Sequence, residues 1–525
     1  MPEVADNVLN DILKKGDLDN STLSQCEMAG GKQLEIYPKS INKVDDTYFF
    51  IAKNGTDKAL YILADKNDRT YLDAFNGIEH DEENINGTAV IKECPLQHDN
   101  AESLREHFEF TCAVVVGLTN SYGLGDRLGL ANPGHLRAIQ STDFKPVLAQ
   151  QSIRELERTN RNPDEVMDTA SWAVFQEGYK DGFGSDADHL KTPEDIDYMM
   201  KSGFTMFTID PSEHVVNEAD SLPIDKLEKQ VKALPWNELE TTFDDTLERY
   251  TSGPITISDD FSIEADKEDL LRGLTKYGQV IAHVKKMYSY LKDTYSDKPS
   301  EVEVSVDETE SVTQPFEHFL VANELNRLGI DLISLAPRFV GDFEKGIDYK
   351  GDIEIFKQEY LKHLKIADKL GPYKISIHSG SDKFKVYRAI GSLNRGYVHV
   401  KTAGTSYLEA LRTIAKVKPE LFREIFDVSR ELYPTEKRTY HVSADLSKVP
   451  ASDDLKDEEL VTLFEDQKTD ARQVMHVTFG RILTDKDDEG NYIFRNRILD
   501  TLEEYEETHY AFLYKHFQRH LEPFI

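Results

Sequence analysis

Histidines and carboxylates recur in this sequence at the ends of short apolar runs, where acid–base or metal chemistry can be assembled. Asp186-Ala187-Asp188-His189 follows Phe183-Gly184-Ser185, and Asp210-Pro211-Ser212-Glu213-His214 follows the run 204–209. The run 302–306 contains Glu303 and ends in Asp307-Glu308-Thr309-Glu310. The run 373–377 ends in His378-Ser379-Gly380-Ser381-Asp382-Lys383, and 397–400 contains His399 and continues into Lys401. Imidazole mixed with carboxylate is a donor set for zinc, manganese or a similar divalent cation. His189, His214, His378 and His399 are its candidates. Two carboxylates flanking a substrate can act as base and acid; Asp188, beside His189, and Glu303 are placed for that work.

Strand periodicity sharpens the pattern. In Glu303-Val304-Ser305-Val306-Asp307 the polar residues fall on one face; Ser376 and His378 share a face, as do His399 and Lys401. Charges pointing into a core are costly unless paired or bound to metal. Any one such segment is an ordinary surface loop more often than not, and an internal ion-pair network is the bland account of the inward charges. Eight in succession point instead to one functional face.

The elements that must position these residues alternate. Runs rich in β-branched residues at 113–118, 146–149, 204–209, 302–306, 332–335, 373–377, 397–400 and 440–442 are separated by helix-like stretches at 269–295, 316–328, 353–370, 406–415 and 419–432. Such alternation predicts an α/β fold with a parallel sheet, and eight runs predict a (β/α)8 TIM-type barrel. In that fold, residues after the strands converge on one mouth. The barrel is assigned to residues 106–453, with an acidic insertion near 216–270. Residues 1–105 read as an N-terminal α+β appendage and 454–525 as a C-terminal helical cap. The glycine-rich stretch 123–129 reads G-x-G-x-x-x-G, not a dinucleotide fingerprint, so Asp126 and Arg127 are substrate-contacting or loop-fixing residues.

Composition narrows the classes further. The 525 residues carry a formal net charge of −34, which would repel a phosphate backbone and argues against nucleic acid. No apolar run approaches the roughly 20 residues of a membrane span. Met1-Pro2-Glu3-Val4-Ala5-Asp6 lacks the pattern of a secretory signal, and the 3 cysteines are widely spaced. A reduced, cytoplasmic protein acting on a small molecule is expected, and a homo-oligomer is compatible with the sequence.

The segments Gln150-Gln151-Ser152-Ile153-Arg154-Glu155, Asp186-Ala187-Asp188-His189, Phe204-Thr205-Met206-Phe207-Thr208-Ile209-Asp210-Pro211, Glu303-Val304-Ser305-Val306-Asp307-Glu308-Thr309, His378-Ser379-Gly380-Ser381-Asp382-Lys383-Phe384 and His399-Val400-Lys401-Thr402-Ala403-Gly404-Thr405-Ser406-Tyr407 resemble the tagaturonate epimerase family. The resemblance runs from about residue 112 to at least 450. It implies interconversion of D-tagaturonate and D-fructuronate, a keto-hexuronate substrate and a divalent metal; some members also take fructose and tagatose. It implies the proton acceptor at Asp188, the proton donor at Glu303 and metal ligands at His189 and His378. Glu344 is the choice for third ligand, with His399 its rival on strand geometry; Glu213 is a rival base. A carboxylate substrate needs a cation, for which Arg127, Arg154, Lys383 and Lys401 are candidates.

The C4 hydrogen is β to the C2 ketone and hardly acidic, so inversion at C4 is expected to proceed by retro-aldol cleavage and re-addition. An aldolase or 3-epimerase using the same site, or a non-catalytic sugar-acid binding protein, are the alternatives.

Overall fold

The computed structural model describes residues 24–27, 32–82, 89–402 and 404–525; Met1–Asp6 and Ala403 lie outside them. Eight parallel strands close a barrel: β1 (Ser121–Leu124), β2 (Lys145–Ser152), β3 (Gly184–Leu190), β4 (Met206–Ile209), β5 (Glu301–Val306), β6 (Ser334–Pro337), β7 (Lys374–Ile377) and β8 (Val398–Thr402). Each pairs with its sequence neighbours, and β8 closes on β1 through His399↔Ser121 and Lys401↔Gly123.

Two expected strands are not barrel strands. Residues 113–118 precede the barrel as irregular chain across its N-terminal face, where the backbone N–H groups of Val116 and Gly117 donate to the Glu301 carboxylate. Residues 440–442 are likewise irregular and help wall the mouth. Their places are taken by β1 and β3, whose sequences Ser-Tyr-Gly-Leu and Gly-Ser-Asp-Ala-Asp-His-Leu lack an apolar run. On β3 the inward positions are Asp186 and Asp188, so a charged face has replaced the apolar half of the usual strand pattern.

Between β4 and β5 lie two short helices (Ile224–Lys232 and Phe243–Thr251), a hairpin (Ile255–Ser258 with Phe261–Ile263) that the sequence reading missed, and the 28-residue helix Lys267–Thr294. That long helix starts at an Asp266 capping box, in which Asp266 and Asp269 satisfy each other's free N–H groups. Outward residues such as Val302, Val304, Ile375 and Ile377 are fully buried under the helices and form the main core.

The N-terminal part is an antiparallel seven-stranded sheet. Alternation in its central strands Thr47–Asn54 and Asp57–Asp65 sends Phe49, Ile51, Leu60 and Ile62 to one face, packed with Trp172 and Phe175 of the barrel helix Pro163–Glu177. After β8 the chain is helical, ending in Glu506–Leu521. The free cysteines Cys94 and Cys112 are unpaired thiols, and no described helix is long and apolar enough to cross a membrane.

The terminal parts meet at Glu506. Its carboxylate accepts from Tyr37 Oη at 2.5 Å, Lys53 Nζ at 2.7 Å and Lys58 Nζ at 3.1 Å. Burial opposes its charge, but Lys58, Lys53 and Tyr37 outweigh it and hold the pKa at about 2. The native pKa lies below the ordinary 4.5. The stabilisation is therefore complete above pH 4.5 and is lost as the pH falls towards 2. Glu506→Gln is expected to lower stability by roughly 3 kcal/mol at pH 7. Denaturant midpoints of the two proteins should converge on acidification; a constant gap between them would show that the carboxylate is not held this way.

Candidate active site

Lys401, from β8, stands at the centre of the barrel. Its Nζ pairs with Asp186 Oδ2 at 2.7 Å, Asp188 Oδ1 at 2.8 Å and Glu303 Oε1 at 2.7 Å, and donates to Thr208 Oγ1 at 2.7 Å. Thr208 in turn donates to Asp186 Oδ1, and Ser334 Oγ donates to Glu303 Oε2. All of these side chains are buried. Burial disfavours the ammonium, but the three carboxylates outweigh it and hold Lys401 charged well above the usual lysine range. The same charge, with the neighbouring imidazoles, overcomes the burial of Asp188 and Glu303 and holds both far below the usual carboxylate range. Asp186 is the exception: burial exceeds the pull of Lys401, and its pKa rises to about 6.

Above this layer sit His189 and His378, ring centroids 5.2 Å apart and nearly perpendicular. A bulge brings His189 here. The β3–β4 register shifts between Ala187 and Leu190, and His189 has φ +56°. Alternation alone would send it to the opposite face from Asp188; the bulge turns it to the mouth. Each imidazole faces a carboxylate with either nitrogen, His378 at closer range than His189. His189 Nδ1 lies 3.5 Å from Asp210 and its Nε2 3.8 Å from Asp188. His378 Nδ1 lies 3.1 Å from Asp307 and its Nε2 2.7 Å from Glu303. Burial works against their protonation, but Asp188 and Asp210 raise His189 to about 9, and Asp307 with Glu303 raises His378 to about 10.

This donor set fits a divalent cation. Each Nδ1 faces a carboxylate, the outer-shell arrangement of metal-bound histidines, and each Nε2 faces the centre. With the imidazoles neutral, Asp186, Asp188, Asp210, Glu303 and Asp307 outnumber the ammonium groups paired with them, Lys401 at the centre and Lys191 4.0 Å from Asp210, an excess of negative charge that a cation would balance. Asp210 and Asp307 were legible as strand-end residues but not as the orienting partners of the imidazoles.

The other predicted residues divide. Arg127 lines the cavity; its Nε and Nη2 donate to Glu155 and it packs on Phe479, while its buried Nη1 has no hydrogen-bond partner among the described residues. Arg154 also lines the cavity and is half-exposed, in the first turn of helix Ile153–Thr159, which Ser152 caps. His399 faces the barrel interior deeper down, its Nδ1 2.9 Å from Ser121 Oγ and its Nε2 without a partner.

Lys383 is not brought to the cavity: its Nζ donates to the carbonyls of Glu344, Ile347 and Ser381, fastening two loops. Glu344 is also apart, its carboxylate accepting from Lys350, Ser443 and Gln473. Glu213 is exposed and pairs with Lys191, and His214 stacks on His283. Asp126 fixes its loop by accepting from the N–H groups of Leu128, Gly129 and Ala131. Lys345, Gln150, Tyr440 and His476, to which the sequence alone assigned no role, also line the cavity. Lys345 follows no strand directly. Gly404 leaves room for the His476 ring, which a Cβ there would approach to 1.8 Å.

Among the described residues, the one group of three whose ligand atoms all lie within 4.8 Å of one another is a different set, Asp382, His516 and His520, all buried. Its geometry could hold a metal, behind the cavity wall.

A (β/α)8 barrel with ionised carboxylates and paired imidazoles at its C-terminal mouth is an enzyme scaffold for proton transfer on a polar small molecule. The family model for tagaturonate epimerase (UxaE) matches residues 37–524. The chain is 42% identical over 497 residues to the tagaturonate/fructuronate epimerase of Thermotoga maritima, covering 94% of this chain and 97% of that protein. Crystal structures of the fructuronate-tagaturonate epimerase UxaE from Cohnella laeviribosi superpose with TM-score 0.85. A glycerol complex is 38% identical, covering 94% of this chain and 96% of that one. The native form is 36% identical over 99% of both. The chain belongs to the tagaturonate epimerase family and is an isomerase acting on carbohydrates.

Replacing Lys401 by Met leaves Asp186, Asp188 and Glu303 buried without their cation. Lys401→Met is expected to destabilise the protein by about 3–5 kcal/mol and to abolish epimerisation. Equilibrium denaturation reads the first; wild-type stability in the variant would refute the pairing.

Proposed function

We propose that the chain interconverts D-tagaturonate and D-fructuronate by inversion at C4, through cleavage and re-formation of the C3–C4 bond. The observation that carries this reading is the pair of ionised carboxylates, Asp188 and Glu303, joined through Lys401 Nζ at 2.8 and 2.7 Å. Two carboxylates sharing one ammonium make a path along which a hydroxyl proton can be taken up on one side and returned on the other. They do not suit removal of the C4 hydrogen, which no neighbouring carbonyl acidifies.

Asp188 takes the proton of the 4-hydroxyl. As the C4–O bond becomes a carbonyl, the C3–C4 electron pair passes to C3 and the C2 ketone, giving the enediolate of dihydroxyacetone and the aldehyde of tartronate semialdehyde. Arg127 and Arg154 hold the carboxylate that stays with the aldehyde fragment. Lys345 lines the same cavity and adds positive charge. The aldehyde turns, the enediolate adds to its other face, and the proton taken by Asp188 passes by way of the Lys401 ammonium to the Glu303 side and from there to the new C4 oxygen. His189 and His378 are the residues that would hold a divalent cation, which when bound supplies Lewis-acid polarisation of the ketone oxygen. Neither the retained Glu344 contacts nor those of Lys383 give these residues a part in the reaction. The Thermotoga and Cohnella proteins' names support the substrate pair.

Rapid quenching with a carbonyl-trapping reagent during turnover should capture tartronate semialdehyde; transfer of the C4 hydrogen to a nicotinamide would eliminate the route. Asp188→Asn is expected to lower kcat by about 10²–10⁴-fold, the range for a positioned acid–base group. Chelation should abolish turnover and added zinc or manganese restore it, while substrate conversion unaffected by exhaustive chelation would remove the metal from the account.

A further inference from the structure

The C-terminal helix Glu506–Leu521 carries His516 and His520 four residues apart, hence on one face, and that face meets Asp382 in the loop after β7. Three atoms converge: Asp382 Oδ1 lies 3.3 Å from His516 Nε2 and 3.2 Å from His520 Nε2. Asp382 and His516 are 3% and 5% exposed and His520 is 0% exposed. Among the described residues, Asp382 Oδ1 and His516 Nε2 have no hydrogen-bond partner despite full burial.

The outer atoms of the same side chains are all engaged. Arg472 donates to Asp382 Oδ2. His516 Nδ1 faces Glu409 Oε1 at 3.3 Å. His520 Nδ1 donates to the His516 carbonyl at 2.9 Å. With its proton on Nδ1, His520 Nε2 presents a lone pair, and the Asp382 backbone N–H donates to it at 3.1 Å. Two acceptors, His520 Nε2 and Asp382 Oδ1, thus face each other across 3.2 Å with no proton between them. A cation relieves that contact. The spacing is also suited to one: zinc bonds of about 2.0–2.1 Å in a tetrahedron set the ligand atoms about 3.3–3.4 Å apart.

We propose that Asp382, His516 and His520 form a second, structural divalent-metal site of the zinc class, independent of His189 and His378. It fastens the C-terminal helix to the loop that begins at His378. Oδ1 and the two Nε2 atoms are the ligands; Arg472, Glu409 and the His516 carbonyl orient them, as outer-shell partners do in metal sites. The ion competes with the Asp382 N–H for His520 Nε2, and a tetrahedral fourth position falls to water. Ser381 lines the catalytic cavity while Asp382 faces the helix, so this site stiffens the cavity wall without touching substrate.

The test uses the full chain carrying His189→Ala and His378→Ala, which removes the first set of imidazoles. After chelation and dialysis against limiting zinc, mass spectrometry should find about one zinc per chain, with a higher Tm than the stripped protein, because metal bound only to the native state stabilises it. Adding His516→Ala should return both readings to the stripped values. Absence of zinc in the double variant, or equal zinc after His516→Ala, overturns the proposal. Should the triple variant not fold, zinc-edge absorption of the double variant decides. Two imidazoles and a carboxylate around zinc uphold the site, and a shell without imidazole overturns it.

Discussion

The burial of one ammonium among three carboxylates is the constraint on which the rest of this barrel depends. Lys401, Asp186, Asp188 and Glu303 are each 6% exposed or less. Leaving any of these charges unpaired in that environment would cost several kcal/mol. The strands must therefore hold a register that keeps β3, β5 and β8 side chains in mutual contact. Thr208 and Ser334 fill remaining hydrogen-bond valences from β4 and β6. The usual apolar filling of a barrel interior is replaced by a polar network whose geometry is set by electrostatics. Its electrostatic consequence is that two carboxylates, Asp188 and Glu303, stay ionised out of bulk water around one shared ammonium.

The periphery secures that centre. Lys383, buried and held by three backbone carbonyls, has its pKa lowered to about 7 by burial. It ties the loop after β7 to the segment bearing Glu344 and Lys345. Lys345 Nζ donates to Ser379 Oγ at 2.6 Å, linking the same segments at the cavity wall. Glu506 joins the last helix to the N-terminal sheet, so that both terminal parts of the chain brace the barrel's helical layer.

Much of this was legible in the sequence. Glu303 and Asp307, Ser376 and His378, and His399 and Lys401 fall on shared strand faces, and period-two alternation locates them without any structure. The barrel class followed from strand–helix alternation because outward residues such as Val304 and Ile375 are apolar. What failed, failed for the same physical reason. β1 and β3 carry polar inward faces, so the hydrophobic signal that identifies a strand was missing where the site is densest. Residues 113–118 and 440–442 have strand-like composition but serve as a bottom seal and a mouth wall. Glu344 and Lys383 were candidates by residue type near a motif; type does not reveal that Lys350, Ser443 and Gln473 meet the one, or that three carbonyls meet the other. The His189 bulge, a positive-φ position in a non-glycine residue, has no signature in composition either.

The central claim is that this arrangement breaks a carbon–carbon bond and leaves the C4–H bond intact. The most direct measurement is turnover of substrate deuterated at C4, in ordinary water, with the product's label and the rate followed together. The account predicts full retention of deuterium at C4 and no primary isotope effect. Loss of the label to solvent, or a primary isotope effect on turnover, would contradict it.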